Sequence, residues 1–221
     1  MKVHYIVLLS VRLVGAMARF ILNIVLFGTV FFYAGVGATF SPAIGQQFSN
    51  AYTRLNLDRC RKLNPVNFTA EGPVYRCKGF QNKSAHDIYL YEHDRHFYVS
   101  YGQDALEQLA AKQTIIPENS LADDLEWRLE RRGGAWHPFA LILRYFTEIK
   151  DDHGYYRGEV LAVMKIGKNE ACHAVYIDAE ATVNANRVAR QAADRVVRRF
   201  DCNRDELVVE GVPGRSLKPV L

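Results

Sequence analysis

The spacing of apolar and polar positions changes character twice along the chain. Residues 20–40, FILNIVLFGTVFFYAGVGATF, carry no charge, and Arg19 stands just before them. Residues 39–52 turn polar around Pro42, Gly45 and QQFSN, the composition of a linker. Short runs with strand character follow. Residues 73–79 (PVYRCKG), 87–92 (DIYLYE) and 96–101 (HFYVSY) are rich in Val, Ile and Tyr, and His93-Asp94-Arg95 between the last two reads as a tight hairpin turn. Residues 125–130 (LEWRLE) alternate strictly, with Leu125, Trp127 and Leu129 on one face and Glu126, Arg128 and Glu130 on the other. That is the pattern of an antiparallel strand with one wet face. Gly133-Gly134 marks a turn, and residues 139–147 (FALILRYFT) and 158–166 (GEVLAVMKI) are apolar on both faces, as central strands are. Residues 171–177 (ACHAVYI) add another strand, and 207–212 (LVVEGV) an edge strand.

Helical spacing occurs twice. Asp104 opens a short stretch with Leu106, Leu109 and Ala110 on one side, closed by the loop at Pro117. Asp178 or Thr182 caps a second stretch running to Phe200, with Val188, Ala189, Ala192, Val196 and Phe200 apolar. Arg187, Arg190, Arg195, Arg198 and Arg199 fall on or near its other side and read as a solvated basic face. The expected fold is therefore α+β, a single domain over residues 53–212. A mainly antiparallel sheet of about six or seven strands carries a short helix near 104–112 and a long helix near 182–200 on one face. Residues 213–221 are a frayed tail. No alternating βαβα order supports a doubly wound nucleotide fold.

The uncharged run at 20–40 is long enough to span a bilayer, for which ~20 apolar residues suffice, and also serves as the apolar region of a signal peptide. Its small-residue end, with Val36-x-Ala38, and the lack of a basic cluster after it favour cleavage after Ala38, so residues 1–38 form the leader. The alternative is an uncleaved anchor, with membrane contact only through residues 20–40. Met17-Ala18-Arg19 makes a compact start for a signal peptide, which points to Met17 as a possible true start.

Composition narrows the class. The 221 residues are 49% apolar and 24% charged, as in globular chains. The net charge of +4 owes much to Lys2, Arg12 and Arg19, because residues 1–38 hold no acid. Beyond them 25 basic residues face 24 acidic ones, so a nucleic-acid partner is not expected. Four cysteines, Cys60, Cys77, Cys172 and Cys202, all follow the leader. An even number in an exported chain reads as two disulfides with three possible connectivities; Cys60–Cys77 and Cys172–Cys202 are favoured because each joins neighbouring elements.

Chemistry-bearing motifs are missing. The sequence has no G-x-S-x-G, H-E-x-x-H, Walker A loop, G-x-G-x-x-G or C-x-x-C. His86, His93 and His96 form the one histidine cluster, and Arg95 in its middle repels a cation, so an ordinary polar hairpin is expected there and no metal. Asp123-Asp124 and Asp151-Asp152-His153 read as solvated turn punctuation. Asn67-Phe68-Thr69 and Asn82-Lys83-Ser84 match the glycosylation pattern, which arises easily by chance. Tyr89, Tyr91, Tyr98 and Tyr101 lie on two paired strands, and the short helix and loops are expected to cover those that face outward. No cofactor is expected.

Taken together, YRCKGF, FYVSYG, LEWRLE, PFALILRYFTE, CHAVYIDA and RRFDC resemble a group of exported alphaproteobacterial proteins to which no activity is assigned. The likeness runs from about Tyr52 to Val209. It implies a cleaved leader and the same four cysteines, and it carries over no catalytic residue. The function expected is that of a periplasmic or secreted accessory protein that binds an envelope protein or glycan without catalysis. The alternatives are a periplasmic hydrolase built from His137, His153 or His173 and nearby acids, and an envelope protein held by an uncleaved N-terminal helix.

Overall fold

The computed structural model describes residues 47–65, 68, 72–152 and 154–220. The leader, its cleavage position and most of the expected linker lie outside the described residues. Among the described residues, eleven strands form two sheets. In chain order they are β1 (Phe48–Arg54), β2 (Arg61–Leu63), β3 (Val74–Cys77), β4 (Ile88–His93), β5 (His96–Tyr101) and β6 (Glu118–Leu121). Then come β7 (Asp124–Arg132), β8 (Ala135–Asp151), β9 (Gly154–Ile166), β10 (Ala171–Asp178) and β11 (Val208–Val209). One α-helix, α1 (Ala185–Ala192), continues as a π turn over Ala193–Val197. None of the described helices is long and apolar enough to cross a membrane.

The large sheet runs β1-β7-β8-β9-β10-β11, with β6 also paired to β8; the small sheet runs β2-β3-β4-β5 and is antiparallel throughout. This is a mostly-sheet molecule, and the single expected sheet is two. Among the described residues only β10–β11 is a parallel pair. The stacked layers bury Ile88, Leu90 and Val99 of the small sheet against Trp127, Leu143 and Tyr145 of the large one. The other face of the large sheet is closed by α1 and its π turn through Ala185, Ala189, Ala192 and Ala193, small residues that let the helix lie close.

Several expected boundaries move, each for a physical reason. The polar stretch read as linker ends in β1, whose ladder with β7 runs from Phe48 opposite Glu130 to Arg54 opposite Asp124. An edge strand draws its stability from that pairing, so it needs no strong apolar pattern of its own. The long helix expected near 182–200 is short, α1 and one π turn ending at Val197, and it starts at Ala185 because Asp178 Oδ1 accepts from Glu180 N and Ala181 N, and Asn184 sits in the left-handed region. Asp178 therefore caps a turn, and neither it nor Thr182 caps the helix. The short helix is two 3-10 turns, Ala105–Glu107 and Leu109–Lys112, broken at extended Gln108. The Ser100 hydroxyl and the Tyr91 hydroxyl donate to the carbonyls of Ala105 and Ala111, which an α-helix would use itself. The tail forms a 3-10 turn over Arg215–Val220, with Ser216 N donating to the buried Asp178 at 2.8 Å and Leu217 in the core.

The wet face expected for LEWRLE is covered. Glu126 and Glu130 are buried beneath the helix arginines: Arg190 bonds Glu126 at 2.5 and 3.2 Å, and Arg198 lies 3.4 Å from Glu130. Arg128 on the same strand face returns a two-toothed bond to Asp194 at 2.7 and 2.6 Å. Part of the basic helix face is thus matched to sheet carboxylates rather than solvated. The 94–95 turn holds Asp94 and Arg95 at φ 48° and 58°, the twist that a two-residue hairpin requires.

Candidate functional site

Both disulfides pair as the order of elements implies, Cys60 with Cys77 and Cys172 with Cys202. Their settings differ. Cys172–Cys202 is buried between β10 and the end of the helix. Cys60–Cys77 forms part of the wall of a cavity of about 860 Å³ where the two sheets part. That volume lies in the range of ligand pockets, ~300–1,000 Å³.

The cleft is built from five short stretches of chain, one of which is Cys77-Lys78 at the end of β3. The end of β1 and the turn after it supply Thr53, Arg54, Leu55, Leu57 and Arg59. The inner face of the small sheet supplies Leu90 and Phe97, and β6 with its exit supplies Ser120, Leu121 and Asp123. Leu55 and Leu90 are buried, Phe97 and Leu121 half-buried, so the floor is apolar. The mouth is polar. Arg54, Arg59 and Lys78 stand there with one carboxylate, Asp123, which lies 3.8 Å from Arg54.

Each wall is braced. Trp127, fully buried, donates its indole N–H to Thr53 Oγ1 at 2.9 Å and packs among Phe80, His86 and Tyr101. Gly79 permits this cluster, since a Cβ there would lie 1.8 Å from the His86 carbonyl oxygen. On the next side the fully buried Asp87 carboxylate accepts from Arg76 at 2.7 Å and from Lys78 at 3.3 Å, tying β3 to the start of β4. The third brace is Asn119. Its Oδ1 accepts from Phe97 N at 3.0 Å, while its Nδ2 donates to the Ile115 and Pro117 carbonyls at 2.8 and 3.0 Å. One buried amide thereby joins the small sheet to β6 at a corner.

Apart from Cys60, Cys77 and Asp123, the residues singled out from sequence lie elsewhere. His86 sits half-buried with Nδ1 2.5 Å from the Tyr101 hydroxyl; burial, then Lys83 and His137, push its pKa below the ordinary histidine value. Burial pushes the Tyr101 hydroxyl up to about 12. His93 and His96 face each other across the hairpin, and the His96 nitrogens lie 2.5 Å from the Asp94 carbonyl and 2.7 Å from that of Ile116. Both His96 nitrogens are turned on backbone oxygens. Among the described residues no three His, Cys, Asp or Glu side chains group to hold a metal.

His137 is exposed on β8, whereas His173 is buried on β10, where burial lowers its pKa to about 4. Its Nδ1 lies 2.7 Å from the Tyr176 hydroxyl. The structure does not bring these two histidines together in the cleft, and His153 lies outside the described residues. Asp123 lines the cleft mouth, Asp124 opens β7, Asp151 ends β8 opposite Gly154, and Asp152 follows it between β8 and β9. Asn67 and Thr69 lie outside the described residues; Asn82 ends one 3-10 turn, Ser84 opens the next, and Lys83 between them is extended. Tyr89 and Tyr101 are buried, while Tyr91 and Tyr98 stack 4.8 Å apart and half-buried beside the 3-10 turns.

Sequence reasoning missed the cleft residues themselves. One signal was present: from Arg54 to Lys83 the chain has seven basic residues against two acidic ones, a local excess hidden by the near-neutral total. Compared with family models, with curated proteins and with solved structures, the chain matches none of them.

Proposed function

We propose that the chain is an exported, disulfide-stabilised binding protein that holds an envelope component in the cleft between the end of β1 and the small sheet, without catalysis of its own. The observation that supports this is the cleft: about 860 Å³, floored by apolar side chains and held open by a disulfide, a buried Asp87 clamp and the Asn119 corner. A site kept open by rigid supports binds without first ordering itself, which is what affinity for a small ligand requires. The two disulfides fit an oxidising compartment, and the leader at 1–38 fits delivery to the periplasm or beyond. The resemblance to exported alphaproteobacterial proteins supports the same placement.

The test is native mass spectrometry of protein purified from cells expressing the full chain, then incubated with an envelope extract. A bound small molecule, released by organic solvent and absent from a Ser120→Trp variant that fills the cleft mouth, is the expected result. A mass equal to the bare polypeptide throughout would refute the reading. Export is checked on the same material: mature protein should begin at or near Thr39, and an intact Phe20–Phe40 segment in the membrane fraction would favour the anchor instead.

A further inference from the structure

Resting on the cleft as a binding site, we infer that its ligand is a single-chain amphiphile with an anionic head, carboxylate or phosphate, the chain lying on the floor and the head at the mouth. The floor argues for the chain. Leu55, Leu90, Phe97, Leu121 and the Cys60–Cys77 bridge offer no hydrogen-bonding side chains, so a hydroxyl-rich glycan placed on them would lose its hydration without replacement. An acyl chain gains there from every methylene taken out of water.

The mouth argues for the head. Arg59 is exposed and makes no ion pair among the described residues. Arg54 reaches its one carboxylate only at 3.8 Å, with both side chains largely exposed. Lys78 shares Asp87 with Arg76, two cations on one carboxylate. The surplus at the rim is positive, and the local excess of basic residues from Arg54 to Lys83 adds to it. A cationic or zwitterionic head gains nothing comparable.

Magnitudes separate the two contributions. Each methylene that enters the cleft should tighten binding about fourfold. An exposed head paired with screened arginines contributes about two- to fivefold in all. The chain therefore sets affinity and the head sets selectivity.

The experiment is calorimetric titration, below micelle-forming concentrations, of decanoate, dodecanoate and tetradecanoate into protein from cells expressing the full chain. Dodecyl phosphate, dodecanol and inorganic phosphate are the comparison arms. Two added methylenes should tighten binding about fifteenfold until the cleft is full. Dodecanoate and dodecyl phosphate should both exceed dodecanol by two- to fivefold at low salt, the gap should close near 0.5 M salt, and Arg59→Gln should narrow it. Inorganic phosphate alone should give no heat. Leu121→Trp should abolish binding of all chains; Ser120→Trp, at an exposed position, replaces it if that core-adjacent variant does not fold.

Affinity independent of chain length, or dodecanol as tight as dodecanoate at low salt, overturns the inference. So does phosphate binding on its own, which would make the site an anion pocket. If a molecule of another kind is released from the native protein and these probes fail, the cleft remains a binding site and the amphiphile is wrong. If neither a native molecule nor any probe binds, both readings fall.

Discussion

The two faces of the large sheet are closed by different means. On the helix side, alanines bring α1 down onto β8–β10, and three arginines, Arg128, Arg190 and Arg198, meet carboxylates of the opposing layer. On the other side the small sheet packs tightly around Trp127 and then parts from the large sheet over Leu55, Leu90 and Leu121. Close packing is the default of a protein interior, and apolar surface left uncovered is lost stabilisation. Here the gap is flanked by a disulfide, a buried carboxylate clamp and a buried amide corner. The helix side shows how this chain closes an interface; the cleft side shows it bracing an opening. The contrast between filling and bracing is what the following experiments address.

The disulfides give the largest effects. They span 30 and 17 residues of sequence, and loop-closure entropy assigns them about 4 and about 3 kcal/mol. By stability alone they are nearly equivalent. They should differ in binding: Cys172→Ala/Cys202→Ala melts well below the parent but retains the cleft ligand, whereas Cys60→Ala/Cys77→Ala loses stability and ligand together. Cys60 is also the one half-buried sulfur of the four, so mild reductant should open its bridge first, as peptide mapping will register. Equal loss of ligand in both variants would erase the distinction between the faces.

Acid provides the next effect. His173 is buried with its Nε2 unpartnered, and burial lowers its pKa from 6.5 to about 4. The unfolded chain takes up this proton first as pH falls, so stability is lost from about pH 6.5 down to about pH 4. The loss should total about 3 kcal/mol over that window. Urea denaturation between pH 7.5 and 4 should show it, and His173→Gln should flatten the profile by that amount. Identical profiles would mean that His173 is solvated or partnered in solution.

Much of the fold is legible in the residues. The strands at 87–92 and 96–101, the 94–95 turn and both cysteine pairings rest on local alternation and adjacency, which a sequence displays directly. The closed helix face was not legible. Glu126 and Glu130 alternate with apolar residues as exposed ones would, and only the arrival of Arg190 and Arg198 from 64 or more positions away makes them buried partners. β1 escaped because an edge strand is defined by its neighbour's ladder. The cleft escaped for a related reason: its lining is drawn from five stretches of chain, and a gap between layers has no signature in any one of them.

Asn119 tests the bracing itself, with a smaller effect. Replacing it with Ala strips partners from the Phe97 N–H and from the Ile115 and Pro117 carbonyls. An unsatisfied buried polar group costs ~1–3 kcal/mol, and local relaxation should leave a net loss of about 2 kcal/mol. Because Phe97 and Leu121 stand on either side of this corner and both line the cleft, ligand affinity should fall as well. Asn119→Asp keeps an acceptor for Phe97 N–H but sets a carboxylate oxygen against the Ile115 and Pro117 carbonyl oxygens in a buried site, so it should lose at least as much as Ala in both measurements. Unchanged affinity in the Ala variant would show that the corner does not hold the cleft open.

The smallest effect is expected on the helix side, at Glu126. Its carboxylate accepts from Arg190 Nε at 2.5 Å and Nη2 at 3.2 Å, and Arg190 also reaches the Tyr52 hydroxyl at 2.9 Å. Burial of the carboxylate beside a guanidinium that is still 32% exposed sets this pair between two limits. A fully exposed pair contributes up to about 1 kcal/mol, and breaking a fully buried one costs about 3–5. Glu126→Gln preserves the shape and one acceptor, and water can rehydrate the arginine, so the loss should be about 1 kcal/mol. Raising salt to 0.5 M should shrink it, since the arginine side of the pair is screened. Affinity at the cleft should not change, because Glu126 points to the helix while Leu125 and Trp127 point to the small sheet. A change in ligand affinity without a change in stability would mean that the two faces communicate through β7, and that filling and bracing are one mechanism rather than two.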